Sequence, residues 1–179
     1  MPDEGDPAAL PSAPPVHPGI ARLAWLVGEW QGLGVGGYPG TEPFRYSEDL
    51  TVTHDGRPFL AVTSRTWLLG PDGERLRPSH GEAGFWRPGA GPRDVELVLA
   101  DPTGVVEVYV GEVDGTRVEL ATDLVARTGT ARDVGALTRL YGLVDGTDLG
   151  YAVDLAAGGH PMQAHVSARL SQQSLSPQE

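Results

Sequence analysis

Histidine is the residue type with the clearest capacity for chemistry in this chain. The sequence has five histidines and no cysteine, so a bound metal would need histidine, carboxylate or tyrosine ligands. His165 is the main candidate, because it lies in residues 163–170, where polar and apolar side chains alternate as in a strand. A neutral imidazole that points into an apolar cup can bind a metal and leave the opposite coordination position open. The residues alone favour a plainer alternative, a histidine that is hydrogen-bonded in the protein interior.

The other histidines have weaker patterns. His80 and Glu82 are spaced to share one strand face, as two metal ligands would be, but without a third ligand they are predicted to be an ordinary polar pair. His160, in a glycine-rich turn, is predicted to be solvated. His54 is predicted to be a hairpin residue, and His17 to set the entry of the chain into the domain. The sequence contains no phosphate-binding loop, nucleophile elbow or zinc-protease helix.

A glycine-rich stretch at residues 28–34 is predicted to be the strand around which the fold is organised. Alternation places an indole and three glycines on one face, namely Gly28, Trp30, Gly32 and Gly34. This pattern suits the opening strand of a small closed barrel, where one ring fills the base and glycines let neighbouring strands approach closely. Arg169 is predicted to lie on the Trp30 ring as a cation–π partner, on the inward face that it would share with His165.

The opposite face of the last strand is apolar. It carries Ala164, Val166, Ala168 and Leu170, which alternation alone would turn toward the core. With His165 and Arg169 facing inward, these apolar residues would face outward and need a cover. The segment before Gly28 can supply it as a short helix that caps one end of the barrel, because helical spacing connects Ile20, Leu23, Ala24 and Val27.

The remaining pattern predicts an all-β domain, a ten-stranded antiparallel up-and-down β-barrel. The strongest turn signals are Asp55-Gly56, Asp72-Gly73, Asp114-Gly115 and Asp145-Gly146. The predicted strands are 29–36, 43–52, 58–68, 80–87, 93–100, 104–112, 116–122, 137–144, 147–155 and 162–170. Residues 38–43 and 126–134 are predicted to be loops at a barrel mouth. Residues 1–15 and 172–179 are predicted to be disordered, which leaves one domain at 16–171.

Several motifs together resemble the nitrobindin family of haem-binding, ten-stranded, lipocalin-like barrels. Two of them are the Gly-x-Trp-x-Gly-x-Gly signature at 28–34 and the terminal His-Val-x-Ala-x-Leu at 165–170. The likeness continues through His17-Pro18, Tyr38-Pro39, Pro43-Phe44-Arg45-Tyr46, Gly56-Arg57-Pro58-Phe59-Leu60, Gly81-Glu82-Ala83-Gly84-Phe85 and Tyr151. It extends over residues 17–171, nearly the whole chain.

The resemblance implies a protein with haem b that isomerises peroxynitrite to nitrate at ferric haem and binds nitric oxide. His165 then corresponds to the axial ligand of the iron and is the catalytic site. Arg132 stands where the family commonly has a lysine near the haem. It could pair with a haem propionate. An exposed arginine in a loop, without that contact, is the equally weighted alternative. Thr41 is the candidate for a hydroxyl contact to the haem, although it is shifted by one place from the family's Tyr-Pro-Thr-Ile pattern.

Charge limits the partners of the chain. Its cationic residues are thirteen arginines and no lysine, and its formal net charge of -11 offers no basic patch for nucleic acid or acidic membranes. The expected protein is soluble and cytoplasmic, acts on a small molecule, and is a monomer or a homodimer. Two other functions stay open. They are a non-catalytic carrier of a hydrophobic small molecule and a haem-based sensor.

Overall fold

The computed structural model describes residues 14–173, which form a closed barrel of ten antiparallel strands preceded by a short helix. The strands are β1 Gly28–Tyr38, β2 Thr41–Thr53, β3 Leu60–Leu69, β4 Arg75–Pro88, β5 Asp94–Ala100, β6 Val105–Asp114, β7 Arg117–Arg127, β8 Val134–Val144, β9 Asp148–Ala157 and β10 Gln163–Gln172. The predicted all-β up-and-down barrel is therefore confirmed. The predicted disordered ends, 1–15 and 172–179, lie almost entirely outside the described residues.

The first strand closes the barrel. Each strand pairs with its neighbours in sequence, and β1 pairs with both β2 and β10. Gly32 on β1 lies opposite Glu48 on β2 and Leu170 on β10. Because directly paired residues point to the same face of a sheet, this register fixes which side chains of the three strands face the interior.

The predicted turns fall where the Asp-Gly signals place them. The glycine φ angles are 85°, 85°, 59° and 75° at Gly56, Gly73, Gly115 and Gly146. Asp145 also has a positive φ, 53°, so both central residues of that turn adopt the left-handed conformation that a tight type I′ hairpin requires. Most strands are longer than predicted, and β4 and β7 differ most. β4 begins at Arg75, and β7 continues to Arg127 into the segment that was expected to be a loop.

A 3₁₀ helix over Pro18–Leu26 covers one end of the barrel, which confirms the predicted helical cap. Its buried residues are Ile20, Leu23 and Leu26, a spacing of three that matches the three residues per turn of a 3₁₀ helix. The Trp30 indole N–H donates a hydrogen bond to the Leu26 carbonyl oxygen (2.8 Å) and fastens the helix to β1. Within residues 14–173, no helix has the length and apolar character needed to cross a membrane.

The last strand changes face at a β-bulge. The pairing of β10 with β9 shifts register between Ala164 and Val166, so His165 is the extra residue on β10. His165 and Val166 both line the interior. From the bulge onward the apolar alternation turns Leu170, which is 0% exposed, into the core.

The prediction that Arg169 stacks on Trp30 is wrong. Arg169 pairs with Leu33, which is 56% exposed, so both side chains point out of the barrel. The Arg169 guanidinium forms ion pairs with Asp145 (2.8 Å) and Asp148 (2.7 Å), whereas Trp30 is buried. Beyond the bulge, Val166, Ala168 and Leu170 face inward, and the helix covers an end of the barrel instead of an outer face.

Two glycines of the signature strand make room for neighbouring groups. A Cβ atom added to Gly32 would lie 2.1 Å from the Arg169 carbonyl oxygen, and one added to Gly34 would lie 2.2 Å from the Tyr46 ring. Both distances are far below van der Waals contact. The prediction that glycines let neighbours approach this strand is confirmed: the β10 backbone approaches at Gly32, and the Tyr46 ring rests on Gly34.

Candidate functional site

The barrel encloses a cavity of about 910 Å³, within the size range of small-molecule and cofactor sites. Its floor, at the helix end, is apolar and includes Leu26, Leu50, Val52, Val62 and Leu149. Its mouth, at the other end, is lined by the β1–β2 turn, the β7–β8 loop and the β9–β10 turn. Both segments that were predicted to lie at a barrel mouth do so.

His165 lines this cavity and has one ring nitrogen fixed by the backbone. Its Nδ1 lies 3.0 Å from the Gly37 carbonyl oxygen. A carbonyl oxygen only accepts, so Nδ1 carries the proton and donates it, which leaves the Nε2 lone pair free. Burial lowers the pKa of His165; the hydrogen bond to Gly37 opposes this shift and the charge of Arg132 adds to it. The imidazole is therefore held neutral, in the tautomer that can bind a metal through Nε2.

Tyr38 fixes the end of β1 beside His165. Its ring meets the His165 ring edge-on, with 5.7 Å between centroids, and the His160 ring in the same way at 5.8 Å. Its hydroxyl accepts a hydrogen bond from the Ala157 N–H (2.8 Å) and can donate to the Ala157 carbonyl oxygen (3.1 Å). Tyr38 thus ties β1 to β9 across the mouth and confines the imidazole. The sequence indicated Tyr38 only as part of the family likeness.

Arg132 lies exposed at the mouth. Among the described residues its guanidinium forms no ion pair, whereas the nearby Arg127 pairs with Asp133. A guanidinium at the rim of a cavity can bind a ligand carboxylate through two parallel N–H···O bonds. The predicted contact between Arg132 and a haem propionate stays a prediction, and this position is compatible with it.

Thr41 also lies at the mouth, but its hydroxyl is used by the β1–β2 turn. The hydroxyl accepts from the Tyr38 N–H (3.0 Å) and donates to the Tyr38 carbonyl oxygen (2.8 Å). Its single proton is thus engaged and is not free for a carboxylate. The predicted contact between Thr41 and haem stays a prediction, while its observed contacts hold the turn that carries Gly37 and Tyr38.

The remaining histidines lie in the parts of the fold that their patterns indicated. His80 and Glu82 share an inward face, with 3.7 Å between Nε2 and Oε2. His160 is exposed in the β9–β10 turn, and His54 follows β2 in the turn to β3. His17 caps the helix, because its Nδ1 accepts the Gly19 N–H at 3.0 Å.

A buried ionic cluster that sequence reasoning missed lies in the middle of the cavity. The Arg139 guanidinium donates to both carboxylate oxygens of Glu82 (2.7 Å each) and to Glu107 (3.1 Å). It also donates to the hydroxyls of Tyr109 (2.8 Å) and Tyr141 (3.1 Å). Burial alone would raise the pKa of Glu82, but the charge of Arg139 and the hydrogen bonds from His80 and Arg139 together outweigh burial and hold this pKa well below its usual range.

A second buried polar group lies in the same layer of the barrel. Glu48 is 3% exposed and is hydrogen-bonded to the hydroxyls of Ser64 (2.6 Å) and Tyr151. The Tyr151 and Tyr46 hydroxyl oxygens are 2.7 Å apart. The two groups together form a polar belt between the apolar floor and the mouth, defined as Tyr46, Glu48, Ser64, Glu82, Glu107, Tyr109, Arg139, Tyr141 and Tyr151.

The sequence does carry a signal for this belt. Charged residues occupy inward positions of otherwise apolar alternating strands, as Glu48 does before Leu50 and as Arg139 does after Leu137. Alternation therefore indicates that these groups face inward. It does not indicate which strands bring partners together, because the pairing of Arg139 with Glu82 exists only in the closed barrel.

Comparisons with known proteins agree with this architecture. The family model of the THAP4-like, heme-binding beta-barrel domain matches residues 19–172. A protein of Parafrankia sp. (strain EAN1pec) that is named peroxynitrite isomerase is 48% identical over 170 residues, which cover 87% of this chain and 80% of that protein. A ferric nitrobindin-like protein of Kineococcus radiotolerans is 46% identical over 165 residues, covering 84% of this chain and 91% of its own length.

A solved structure has the same fold. The crystal structure of Rv2717c from M. tuberculosis superposes with a TM-score of 0.79 at 38% sequence identity. The match covers 89% of this chain and 100% of that chain.

Proposed function

The chain belongs to the family of THAP4-like, heme-binding beta-barrel domains, and we therefore propose that it binds haem b and isomerises peroxynitrite to nitrate. Membership confirms the resemblance to nitrobindins that the glycine-rich signature indicated. Relatives that are named peroxynitrite isomerase support the activity. The observation that carries the proposal is the hydrogen bond between His165 Nδ1 and the Gly37 carbonyl, because it leaves Nε2 free in the cavity.

The residues present fit a haem group. Haem b is a flat, mainly apolar ring that carries two carboxylates and an iron with an affinity for imidazole. The cavity offers a volume of about 910 Å³, largely apolar walls and a neutral histidine of the required tautomer. Arg132, which forms no ion pair within residues 14–173, supplies a guanidinium at the mouth, where a propionate would meet solvent.

In this proposal each residue near the mouth has a separate task. His165 would hold the iron through Nε2, while Gly37 and Tyr38 fix the orientation of the imidazole. Arg132 would pair with a propionate. Ferric haem, when bound, supplies the redox chemistry of the isomerisation. Peroxynitrite and nitrate contain the same atoms and carry the same charge, so the chain need supply no net proton.

A haemin titration followed by Soret absorbance tests the ligand assignment. Wild type, His165→Ala and His160→Ala are titrated side by side, with His160→Ala as the matched control because this second histidine also lines the mouth. Wild type and the control should bind one haem per chain with the same affinity, and His165→Ala should lose saturable binding. Normal haem retention by His165→Ala would remove His165 as the ligand.

Peroxynitrite decay by stopped-flow absorbance then tests the activity. The haem-loaded wild type should accelerate decay and yield nitrate in place of nitrite. Stable haem binding without acceleration would contradict the enzymatic proposal and favour a haem-based sensor.

A carrier of hydrophobic small molecules is the second candidate function. The apolar floor of the cavity favours it, because this region lies below the polar belt and is lined by aliphatic side chains. Protein that stays colourless after haemin addition, yet takes up a fluorescent fatty acid, would support the carrier and contradict the haem enzyme.

Three finer features complete the proposal. The haem-loaded chain should bind nitric oxide, which a Soret shift under anaerobic nitric oxide would detect.

We place the chain in the cytoplasm, which cell fractionation would test. We expect no nucleic-acid or membrane partner, in keeping with the net charge of -11.

We also propose a homodimer. An apolar stripe on the outer face of β4 to β7 supports it, since Phe85, Val98, Val108 and Leu124 are successive pairing partners. Phe85 is 48% exposed and Leu124 is 55% exposed. Sedimentation equilibrium should show a dimer that Leu124→Asp dissociates, and a monomeric wild type would contradict this.

A further inference from the structure

Glu48 is a buried carboxyl group that the proposed haem site does not use. Within residues 14–173 no arginine or histidine forms an ion pair with it, and its direct side-chain partners are hydroxyl groups. Ser64 bonds to Oε1 at 2.6 Å, and Tyr151 bonds to Oε2. Because Tyr151 in turn lies 2.7 Å from the Tyr46 hydroxyl, Glu48, Tyr151 and Tyr46 form a hydrogen-bonded line, which we call the Glu48 relay.

The charges in the polar belt leave Glu48 without a counter-ion. The buried guanidinium of Arg139 is shared by Glu82 (2.7 Å) and Glu107 (3.1 Å). His80 adds a positive charge, when protonated, only beside Glu82. An ionised carboxylate that is buried without a counter-ion is strongly unfavourable, and such a group keeps its proton instead. In agreement, burial raises the pKa of Glu48, although the hydrogen bonds from Ser64 and Tyr151 oppose the shift.

The proton on Glu48 determines the direction of the whole relay. When Glu48 is neutral, its Oε2–H donates to Tyr151, and Tyr151 donates to Tyr46, so the Tyr46 O–H remains free to donate into the cavity. When Glu48 is ionised, both hydroxyls donate toward the carboxylate, and Tyr46 offers only lone pairs. The Ser64 hydroxyl donates to Oε1 in either state.

We propose that the Glu48 relay provides the Tyr46 hydroxyl as a hydrogen-bond donor for an anionic oxygen ligand in the cavity, with small nitrogen oxyanions as the ligand class. Tyr46 contacts the ligand, and Glu48 and Tyr151 are positioning residues. The identity of the ligand rests on the proposed function. The relay itself does not, because it is built entirely from side chains of the chain.

The signature strand holds Tyr46 in place for this role. The phenol ring rests on Gly34, where an added Cβ would lie 2.5 Å from the hydroxyl oxygen. On β2, Tyr46 lies between Phe44 at the mouth and Glu48 in the belt, so the relay runs from the centre of the barrel toward the mouth. Among the described residues, the Tyr46 hydroxyl bonds only to Tyr151, which leaves capacity for a ligand.

Infrared spectroscopy of the haem-free full-length chain tests where the proton resides. At neutral pH the exposed carboxyl groups are ionised, so a protonated carboxyl C=O band that shifts in D₂O should arise from Glu48. The band should vanish in Glu48→Gln and persist in Glu29→Gln, a matched change at an exposed glutamate. Absence of the band in wild type would overturn the proposal, whether or not the chain binds haem.

Nitrite binding to the haemin-loaded chain, followed by the Soret shift, tests the donor. Tyr46→Phe keeps the ring on Gly34 and removes the hydroxyl, so nitrite affinity should fall on the order of 10-fold or more, as expected for loss of a hydrogen bond to an anion. Glu48→Gln should retain the affinity, because an amide accepts from Ser64 and donates to Tyr151 as the neutral acid does. Equal nitrite affinity in wild type and Tyr46→Phe would overturn the proposal.

The pH dependence separates the relay from a purely structural role. Several groups face Glu48 and could contribute, namely Tyr46 on β2, Ser64 on β3, Glu82 on β4, Arg139 and Tyr141 on β8, and Tyr151 on β9. Wild-type nitrite affinity should weaken as alkaline pH ionises Glu48, and Glu48→Gln should lose that component. Identical pH profiles for the two proteins would overturn the relay.

The proposal and the proposed enzyme can fail separately. An active isomerase with unchanged nitrite affinity in Tyr46→Phe would overturn the relay alone. A chain without isomerase activity that shows the Glu48 band and loses nitrite affinity in Tyr46→Phe would support the relay and refute the enzyme.

Discussion

Replacing Arg139 by methionine should be among the most destabilising single changes in this barrel. Methionine keeps an unbranched chain of similar length but removes the charge that faces Glu82 and Glu107. It also removes the donors for the hydroxyls of Tyr109 and Tyr141. The variant therefore leaves two carboxylates in the interior without their guanidinium.

The expected size of the effect follows from this geometry. Arg139 is 8% exposed and its two ion-pair distances are 2.7 and 3.1 Å, so the pair is buried and screened little by solvent. Removal of one partner of such a pair typically costs about 3–5 kcal/mol. For a domain of this size that loss corresponds to a fall in Tm of roughly 6–20 °C.

Urea unfolding of wild type and variant between pH 4 and 7 gives the decisive comparison. In wild type, Arg139 holds the pKa of Glu82 below its unfolded value, so the pair stabilises the fold above that unfolded value, and this stability is lost as the pH falls. In the variant, burial without the guanidinium raises the pKa of Glu82, so stability is lost as the pH rises. The stability difference should be largest at pH 7 and shrink toward about pH 4.

A difference below about 1 kcal/mol, or one that does not change with pH, would refute the idea that Arg139 compensates buried charge. Arg169→Met is the matched control. Arg169 also has two carboxylate partners but is exposed, and because exposed ion pairs contribute little, its unfolding midpoint should stay close to that of wild type.

Three further outcomes follow from the described contacts. Gly34→Ala should destabilise the fold by about 1–3 kcal/mol in urea, because the new methyl group meets the Tyr46 ring; wild-type stability would show that the ring is not seated there. The free energy of unfolding of Glu48→Gln should rise relative to that of wild type as the pH rises from about 4 to 7. The raised folded-state pKa of Glu48 makes wild-type stability decline over that interval. Stability curves that run parallel in pH would contradict the expected decline. Tyr38→Phe should lower the stability by about 1 kcal/mol and speed haem dissociation, because a hydrogen bond to β9 is lost beside His165; an unchanged dissociation rate would exclude Tyr38 as a support of His165.

The strands, the turns and the helical cap were accessible from the sequence because each depends on local signals. Asp145-Gly146 marks its turn through the backbone conformations that these two residue types tolerate. Trp30 and its glycines mark β1 through alternation and the lack of side chains. The β1–β2 loop follows from its proline and glycine content, and the β7–β8 loop follows from its polar, irregular sequence.

The orientation of β10 was not accessible in the same way. A single bulged residue, His165, switches the inward face of the strand, and nothing in its own sequence distinguishes this bulge from regular alternation. His165 was correctly predicted to face inward. Arg169 was wrongly predicted to face inward, because it lies beyond the bulge, where Leu170 takes the inward face and Arg169 points outward. The bulge is defined by the pairing with β9.

The polar belt shows a different limit. Arg139 could be assigned to the interior from its strand, because it alternates with Leu137 and Tyr141. An isolated buried charge is strongly unfavourable, however, so this assignment conflicts with the energetics of burial. The contradiction resolves only when Arg139 meets carboxylates from two other strands. The existence of such partners is a property of barrel closure.

Closure through the pairing of β1 with β10 also governs the order in which the site can be made. Gly37 and Tyr38 are synthesised well before His165, so the imidazole and the carbonyl that orients it come together only after translation has passed β10. A nascent chain arrested before residue 163 would carry Gly37 and Tyr38 without His165. The complete site therefore forms only after β10 has been synthesised, at the step in which the first and last strands of the barrel join.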